Sequence, residues 1–249
     1  MPMFGRTAEA IIAHVWRAAR WLTVLATMLA WPSIASAGCL WTDLVRAETR
    51  VAVVKPGAPR VHFVQDQVLR AGCPNASAGC QLRSFVVPGD VVLVGPRQSA
   101  FICAGFQGPR GIGTIDWLPA SALSLLPAAA QQPQVWAGDW TAPEQDLKIT
   151  AARGGVLTIA GEATWGAGDP QRVKIGGVHI GQVNGTARPV GGLLAFTDDG
   201  EGHTLPYAQG DEFSCKIKML RRGPYLLVRD NNGCGGANVS FSGFYARKR

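Results

Sequence analysis

Few side chains in this sequence of 249 residues have both the type and the spacing that chemistry requires. A nucleophilic enzyme needs a Ser or Cys with a base and an orienting group close in space, and Cys103, His62 and Asp116 are the residues that could form such a set. No Gly-x-Ser-x-Gly elbow offers a serine alternative. Paired carboxylates are another route to hydrolysis, and Asp198, Asp199 and Glu201 with His203 concentrate acid groups in one short stretch. A catalytic pair must converge across a cleft, whereas neighbouring carboxylates on a turn mainly solvate it. The spacing also lacks the regular alternation of a calcium loop, so a plain polar loop is expected. His62, His179 and His203 lie far apart and no C-x-x-C occurs, so neither a metal nor another cofactor is expected.

Binding has better candidates than catalysis. Trp117, Trp136, Trp140, Trp165, Tyr207, Phe241 and Tyr245 could offer stacking surfaces to sugars or a peptide, and Trp117, Trp165 and Tyr207 stand as site residues. Trp117 and Trp140 could equally plug the ends of barrels. Asp230, Asn231, Asn232 and Asn238 form the densest polar cluster, beside Cys234 and several glycines. Such a loop either presents side chains to a partner or supplies the turn chemistry that fixes Cys234.

These groups must be positioned by a framework, and the cysteines outline it. All six (Cys39, Cys73, Cys80, Cys103, Cys215 and Cys234) follow a leader-like N-terminus. That leader has Arg6, Arg17 and Arg20, then an apolar run from Trp21 to Trp31, then Pro32 and Ala35-Ser36-Ala37. The order is that of a secretory signal peptide cleaved near Ala37, giving a periplasmic or secreted protein. Its apolar run is shorter than the roughly 18 to 20 residues a membrane span needs, and no later stretch could span a bilayer. Cys39 invites lipidation, but Ser36 stands where a lipobox has Leu.

An even cysteine count in an oxidising compartment points to disulfides. Four cysteines lie in the first half and two in the second, which suggests Cys215 with Cys234 and leaves the pairing of Cys39, Cys73, Cys80 and Cys103 open. Cleavage removes three arginines and one glutamate, taking the formal charge from +7 to +5. The basic residues are spread out, densest at Arg247-Lys248-Arg249, which argues against nucleic acid and suits a polyanionic cell envelope.

The segment from Leu126 to Gln134, small, polar and bracketed by prolines, reads as a linker. The expected organisation is a signal peptide (1–37), a first domain (38–127), a linker (128–134) and a second domain (135–249). In the first domain, apolar runs such as Val51-Ala52-Val53-Val54 and Val91-Val92-Leu93-Val94 alternate with Gly and Pro turns, indicating a compact all-β barrel. The second domain shows cleaner alternation, as in Phe213 to Met219. Strands expected at 147–149, 156–159, 173–175, 193–196, 213–219, 225–228 and 239–245 would make an antiparallel barrel of about seven or eight strands. A Cys215–Cys234 bridge would fasten its hairpin to the following loop.

Val87-Pro88-Gly89-Asp90-Val91-Val92-Leu93-Val94, followed by Phe101-Ile102-Cys103 and Trp117-Leu118-Pro119 with Leu123, resembles bacterial SH3-like domains over residues 45–127. The resemblance implies a Gly-Asp turn into a central strand and a short 3₁₀ turn before the last one. The cysteine-bearing stretch from Ala71 to Cys80 departs from that pattern, which implies a remodelled ligand groove. Trp136-Ala137-Gly138-Asp139-Trp140, with the segment from Asp230 to Gly243, resembles a C-terminal domain of proteobacterial periplasmic proteins, some of which also carry a lysozyme-inhibitor-like domain. Together these readings lead to an exported, non-enzymatic envelope protein whose SH3-like module contacts peptidoglycan or a periplasmic protein. The alternatives are an inhibitor of a lysozyme-type hydrolase and a cell-wall hydrolase or peptidase.

Overall fold

The computed structural model describes residues 38–248 except 58, 109, 110, 112 and 128–134. The expected signal peptide (1–37) and linker (128–134) therefore lie outside the described residues. From Gly38 onward the chain packs as one compact unit, mostly β, holding two antiparallel sheets.

After a single-turn helix α1 (Trp41–Leu44), the first sheet comprises β1 (Arg50–Val54), β2 (Val61–Val64), β3 (Gln81–Val86), β4 (Val91–Gln98), β5 (Phe101–Gln107), β6 (Gly113–Pro119) and β7 (Leu123–Leu125). Their order is β3-β2-β6-β5-β4-β1-β7. The tight turn from β3 to β4 works through Gly89, at φ +90°, and the Asp90 carboxylate, which accepts the Val87 N–H at 2.8 Å.

The unbroken apolar runs of this half have a physical cause: both faces of the sheet are covered. Ala52, Val54, Phe63, Val92, Val94 and Leu118 pack on one face. Val51, Leu93, Cys103 and Trp117 face the other way, into a second cluster that also contains Leu220, Tyr225, Leu227 and Phe244 from the far half of the chain.

The second sheet has nine strands: β8 (Gly138–Ala142), β9 (Gln145–Ala151), β10 (Leu157–Trp165), β11 (His179–Ala187), β12 (Leu193–Asp198), β13 (Thr204–Leu205), β14 (Cys215–Arg222), β15 (Tyr225–Asp230) and β16 (Gly243–Arg247). Their order is β11-β10-β9-β8-β16-β15-β14-β12-β13. The sheet curls into a nearly closed barrel around Trp140, Ile149, Ile159, Phe196, Ile217 and Phe241. Side chains, not a backbone ladder, close the seam: the Asn184 N–H donates to the Asp198 carboxylate at 2.7 Å and the Thr186 N–H to the Thr204 hydroxyl at 2.9 Å.

The strand expected at 173–175 is instead covered by the helix α2 (Pro170–Lys174) and its C-cap, Ile175. Asp169 caps it by accepting the Gln171 N–H, and Pro170 supplies a fixed φ in the first turn, so local start signals override β-branched propensity. The closing strand is also shorter than expected, because Val239 and Phe241 are buried ahead of β16 rather than within it. The strands not anticipated are β6, whose Trp117-Leu118-Pro119 is extended with the 3₁₀ turn following at Ala120–Ala122, together with β8, β11 and the two-residue β13.

Three disulfides brace the framework and fit an oxidising compartment. Cys215–Cys234 ties the start of β14 to the loop after β15, as anticipated. Cys39–Cys103 pins the segment before α1 to β5, and Cys73–Cys80 closes the loop between β2 and β3. No helix among the described residues is long and apolar enough to cross a membrane.

The sheets meet at the β14–β15 hairpin and β16. The Tyr225 hydroxyl donates to the Val91 carbonyl, and the Gln107 amide donates to the Phe244 carbonyl at 3.0 Å. Phe244 lies so close to Gly105 that a Cβ there would come within 2.8 Å of its ring, so glycine at that position admits the aromatic.

Candidate functional site

The three residues considered for nucleophilic chemistry are committed elsewhere. The Cys103 sulfur is bonded to Cys39, and His62 Nδ1 is hydrogen bonded to the Leu82 carbonyl while its ring lies beside Phe85. Asp116 is buried next to Asp66. Burial, and secondarily the Asp66 charge, pushes its carboxyl up to about 6.

Trp117 is fully buried, and its indole N–H donates to Asp66 at 2.8 Å. The same Asp66 oxygen accepts the Cys39 N–H at 2.9 Å, and the other accepts the Val68 N–H. This carboxylate fastens the disulfide-bearing N-terminal segment to the first sheet. Its role carried no signal in the sequence.

Trp165 is half-buried, with the Arg172 guanidinium 3.8 Å above its ring and His179 packed beside it. Tyr207 has its own cation, Lys218, 4.2 Å from the ring centroid. The two aromatics thus belong to separate local clusters.

The amide cluster divides by role. Asp230 is buried and accepts from the Ser240 and Ser242 hydroxyls and the Phe241 N–H, fixing the approach to β16. Asn231 clamps the hairpin: its oxygen accepts the Lys216 N–H and its nitrogen donates to the Ser214 carbonyl, both at 3.0 Å. Asn232 and Asn238 are exposed and adopt positive φ at turns. The acidic loop forms a hairpin in which Asp199 accepts the Glu201 and His203 N–H groups and meets His203 Nδ1 at 2.8 Å. Ligand atoms of Asp199, Glu201 and His203 lie within 4.8 Å of one another.

A concave feature lined by charged and amide side chains lies elsewhere, on the outer face of β8 to β11. Cross-strand register arranges its side chains in rows. One row runs Asp139, Lys148, Ala160, Asn184, and the next runs Thr141, Asp146, Glu162, Gln182. Ala160 stands between Lys148 and Asn184, and its short side chain leaves a groove of about 330 Å³. A second hollow of about 540 Å³ shares Ala160 and Asn184, continues over Thr158 and Thr186, and is walled by Gly202 and His203.

Within the groove, Asp146 pairs with Lys248 at 2.9 Å. Burial opposes the Asp146 charge, but Lys248 and the Thr141 hydroxyl outweigh it and hold the carboxyl below its ordinary value. Among the described residues, the side chains of Asp139, Lys148, Glu162, Gln182 and Asn184 form no hydrogen bond or ion pair. Trp140, the aromatic beneath, is buried, and both Arg221 and Arg247 contact its ring as cations, at 5.1 and 5.7 Å. The groove therefore offers charges and amides but no open ring.

The sequence held one cue to this site, the strict alternation of exposed Asp146 and Lys148 with buried Leu147 and Ile149. Register across four strands, which brings Glu162 and Asn184 alongside, was not readable. No protein-family model, no curated protein and no solved structure matches the chain.

Proposed function

We propose that this is an exported, non-enzymatic binding protein of the cell envelope and that its ligand is peptidoglycan. The observation carrying the proposal is the groove around Ala160, where Asp139, Lys148, Glu162, Gln182 and Asn184 converge with side chains that have no partner among the described residues. Uncommitted polar groups in a concave site are what an amide-rich, charged polymer needs for orientation. The three disulfides suit the oxidising setting in which such a polymer is met. The SH3-like reading of the first sheet is part of the proposal. It is supported by the Gly89-Asp90 turn and by the 3₁₀ turn at Ala120–Ala122 between Pro119 and β7. In this reading the first sheet carries the barrel, and the barrel's outer face makes the contact.

Pull-down on purified sacculi, with periplasmic extract in parallel, tests the proposal. The protein is expected to be retained by sacculi, and Ala160→Arg, which fills the groove from an exposed position, is expected to abolish retention without lowering the melting temperature. Absence of retention by sacculi overturns the proposal, retention from periplasmic extract alone assigns a protein partner, and clearing of a peptidoglycan zymogram assigns catalysis instead.

Inhibition of a lysozyme-type hydrolase is the second reading, favoured by the exposed hairpin at Gly200, Glu201, Gly202 and His203, which could enter an enzyme cleft. A lysis assay with excess protein decides it, since unchanged lysozyme activity removes it.

A further inference from the structure

The charges in the groove specify more than a polymer. We infer that it takes the peptide part of peptidoglycan, through a zwitterionic diamino-acid end, and not the glycan strand; the inference rests on the proposal above.

Two features carry it. Proteins hold sugar rings largely by stacking them on exposed aromatic faces. This groove exposes none, because Trp140 lies buried beneath it in contact with two arginines. Second, its free charges are of both signs: one cation, Lys148, set between two carboxylates, Asp139 directly opposite it on β8 and Glu162 on β10. Lys148 stands directly opposite Ala160, and Glu162 stands two residues further along β10, so the two are diagonal neighbours about 7 to 8 Å apart across the dip. Lys148 and Glu162 form no ion pair with each other or with any other described residue. Asp146, which would otherwise repel Glu162, is neutralised by Lys248.

An ammonium and a carboxylate on one ligand centre complement this arrangement, the carboxylate meeting Lys148 and the ammonium meeting Glu162. Gln182 and Asn184, next in the same rows, are placed for the adjoining peptide amides. A neutral N-acetylated glycan would leave both charges unmatched.

The test is calorimetric titration of the exported protein, disulfides intact, with three probes. They are the stem tetrapeptide containing meso-diaminopimelate, the same peptide with its diaminopimelate side-chain carboxylate amidated, and a β-1,4 N-acetylglucosamine tetramer. The free tetrapeptide is expected to bind, with amidation weakening it tenfold or more. Lys148→Gln is expected to show the same loss and no further response to amidation, and Glu162→Gln to weaken the peptide comparably. Lys148 and Glu162 are exposed, so both variants should keep the wild-type melting temperature. Equal affinity for the two peptides, or binding of the sugar tetramer in place of the peptide, overturns the inference while retention by sacculi leaves the proposed function standing. Absence of sacculus retention overturns both.

Discussion

The guanidinium of Arg222 donates to the carbonyl of Ala47, 175 residues earlier in the chain, at 2.8 Å, and to the carbonyl of Gly191 at 2.7 Å. One buried cation thus joins the β14–β15 hairpin, the loop before β12 and the segment between α1 and β1. Beside it Leu220, Tyr225, Leu227 and Phe244 complete the apolar cluster of the first sheet. A buried guanidinium held on these carbonyls is costly to keep unless they stay in place, so the contact requires both sheets to be folded together.

The chain from Gly38 onward should therefore unfold in one transition. Phe244→Ala removes a ring shared by both sheets and is expected to cost about 3 to 5 kcal/mol, the usual price of truncating a buried Phe. Thermal unfolding followed by near-UV circular dichroism, which senses Trp117 and Trp140 together, should show a single lowered midpoint. Two separated transitions in the wild type would show that the shared cluster is not energetically coupled.

Acid should stabilise the region around Trp117. Burial pushes the Asp116 carboxyl up to about 6 in the folded protein, from an ordinary value of 3.8. A raised folded value means that its contribution is fully present below pH 4 and is lost as pH rises through 6. Asp116→Asn keeps an acceptor for the Trp117 N–H but carries no charge. At pH 7 it should be more stable than wild type by about 1 kcal/mol, after allowing for solvent screening, and the gain should vanish near pH 4. Urea unfolding at both values measures this, and a pH-independent difference removes Asp116 as the source.

The disulfides should rank by the length of chain they close. Sequence separations of 64, 19 and 7 for Cys39–Cys103, Cys215–Cys234 and Cys73–Cys80 correspond to about 4, 3 and 2 kcal/mol in the chain-entropy model. Double Cys→Ser variants of each pair, compared by denaturant unfolding, should lose stability in that order. Cys39→Ser/Cys103→Ser should lose most, because it also loosens the segment that Asp66 holds.

Strand content was legible because its signals are local. Alternation marked β14, Gly89-Asp90 marked a turn, and the even cysteine count marked the bridges. What escaped depends on distance. Asp66 reads as an ordinary polar loop residue until folding places it under Trp117 and beside Cys39. The continuous runs Val51 to Val54 and Val91 to Val94 marked strands, but what covers their second face lies at Leu220 to Phe244. The expected strand at Val173 to Ile175 lost to a stronger local signal, Asp169-Pro170. The groove needed the register of four strands, and no single segment contains that.

The barrel seam offers the last prediction, because one of the two side chains that bridge it is a carboxylate. Asp198 accepts the Asn184 N–H with one oxygen at 2.7 Å and the Gly200 N–H with the other at 3.0 Å, so it holds β11 to β12 and sets the base of the hairpin walling the second hollow. Asp198→Ala leaves both donors without that acceptor in a half-buried position and should cost about 1.5 to 3 kcal/mol, the range for hydrogen bonds to a charged group. The loss is local before it is global. Hydrogen exchange at the Asn184 amide should accelerate well beyond the change in global stability, whereas amides of β15, in the barrel's interior ladder, should change only as much as global stability does. Uniform acceleration across the barrel would mean that Asp198 acts on the whole fold, not on the seam. If peptide binding weakens in the same variant while Lys148 and Glu162 are intact, the seam is also what holds Asn184 in place for the ligand.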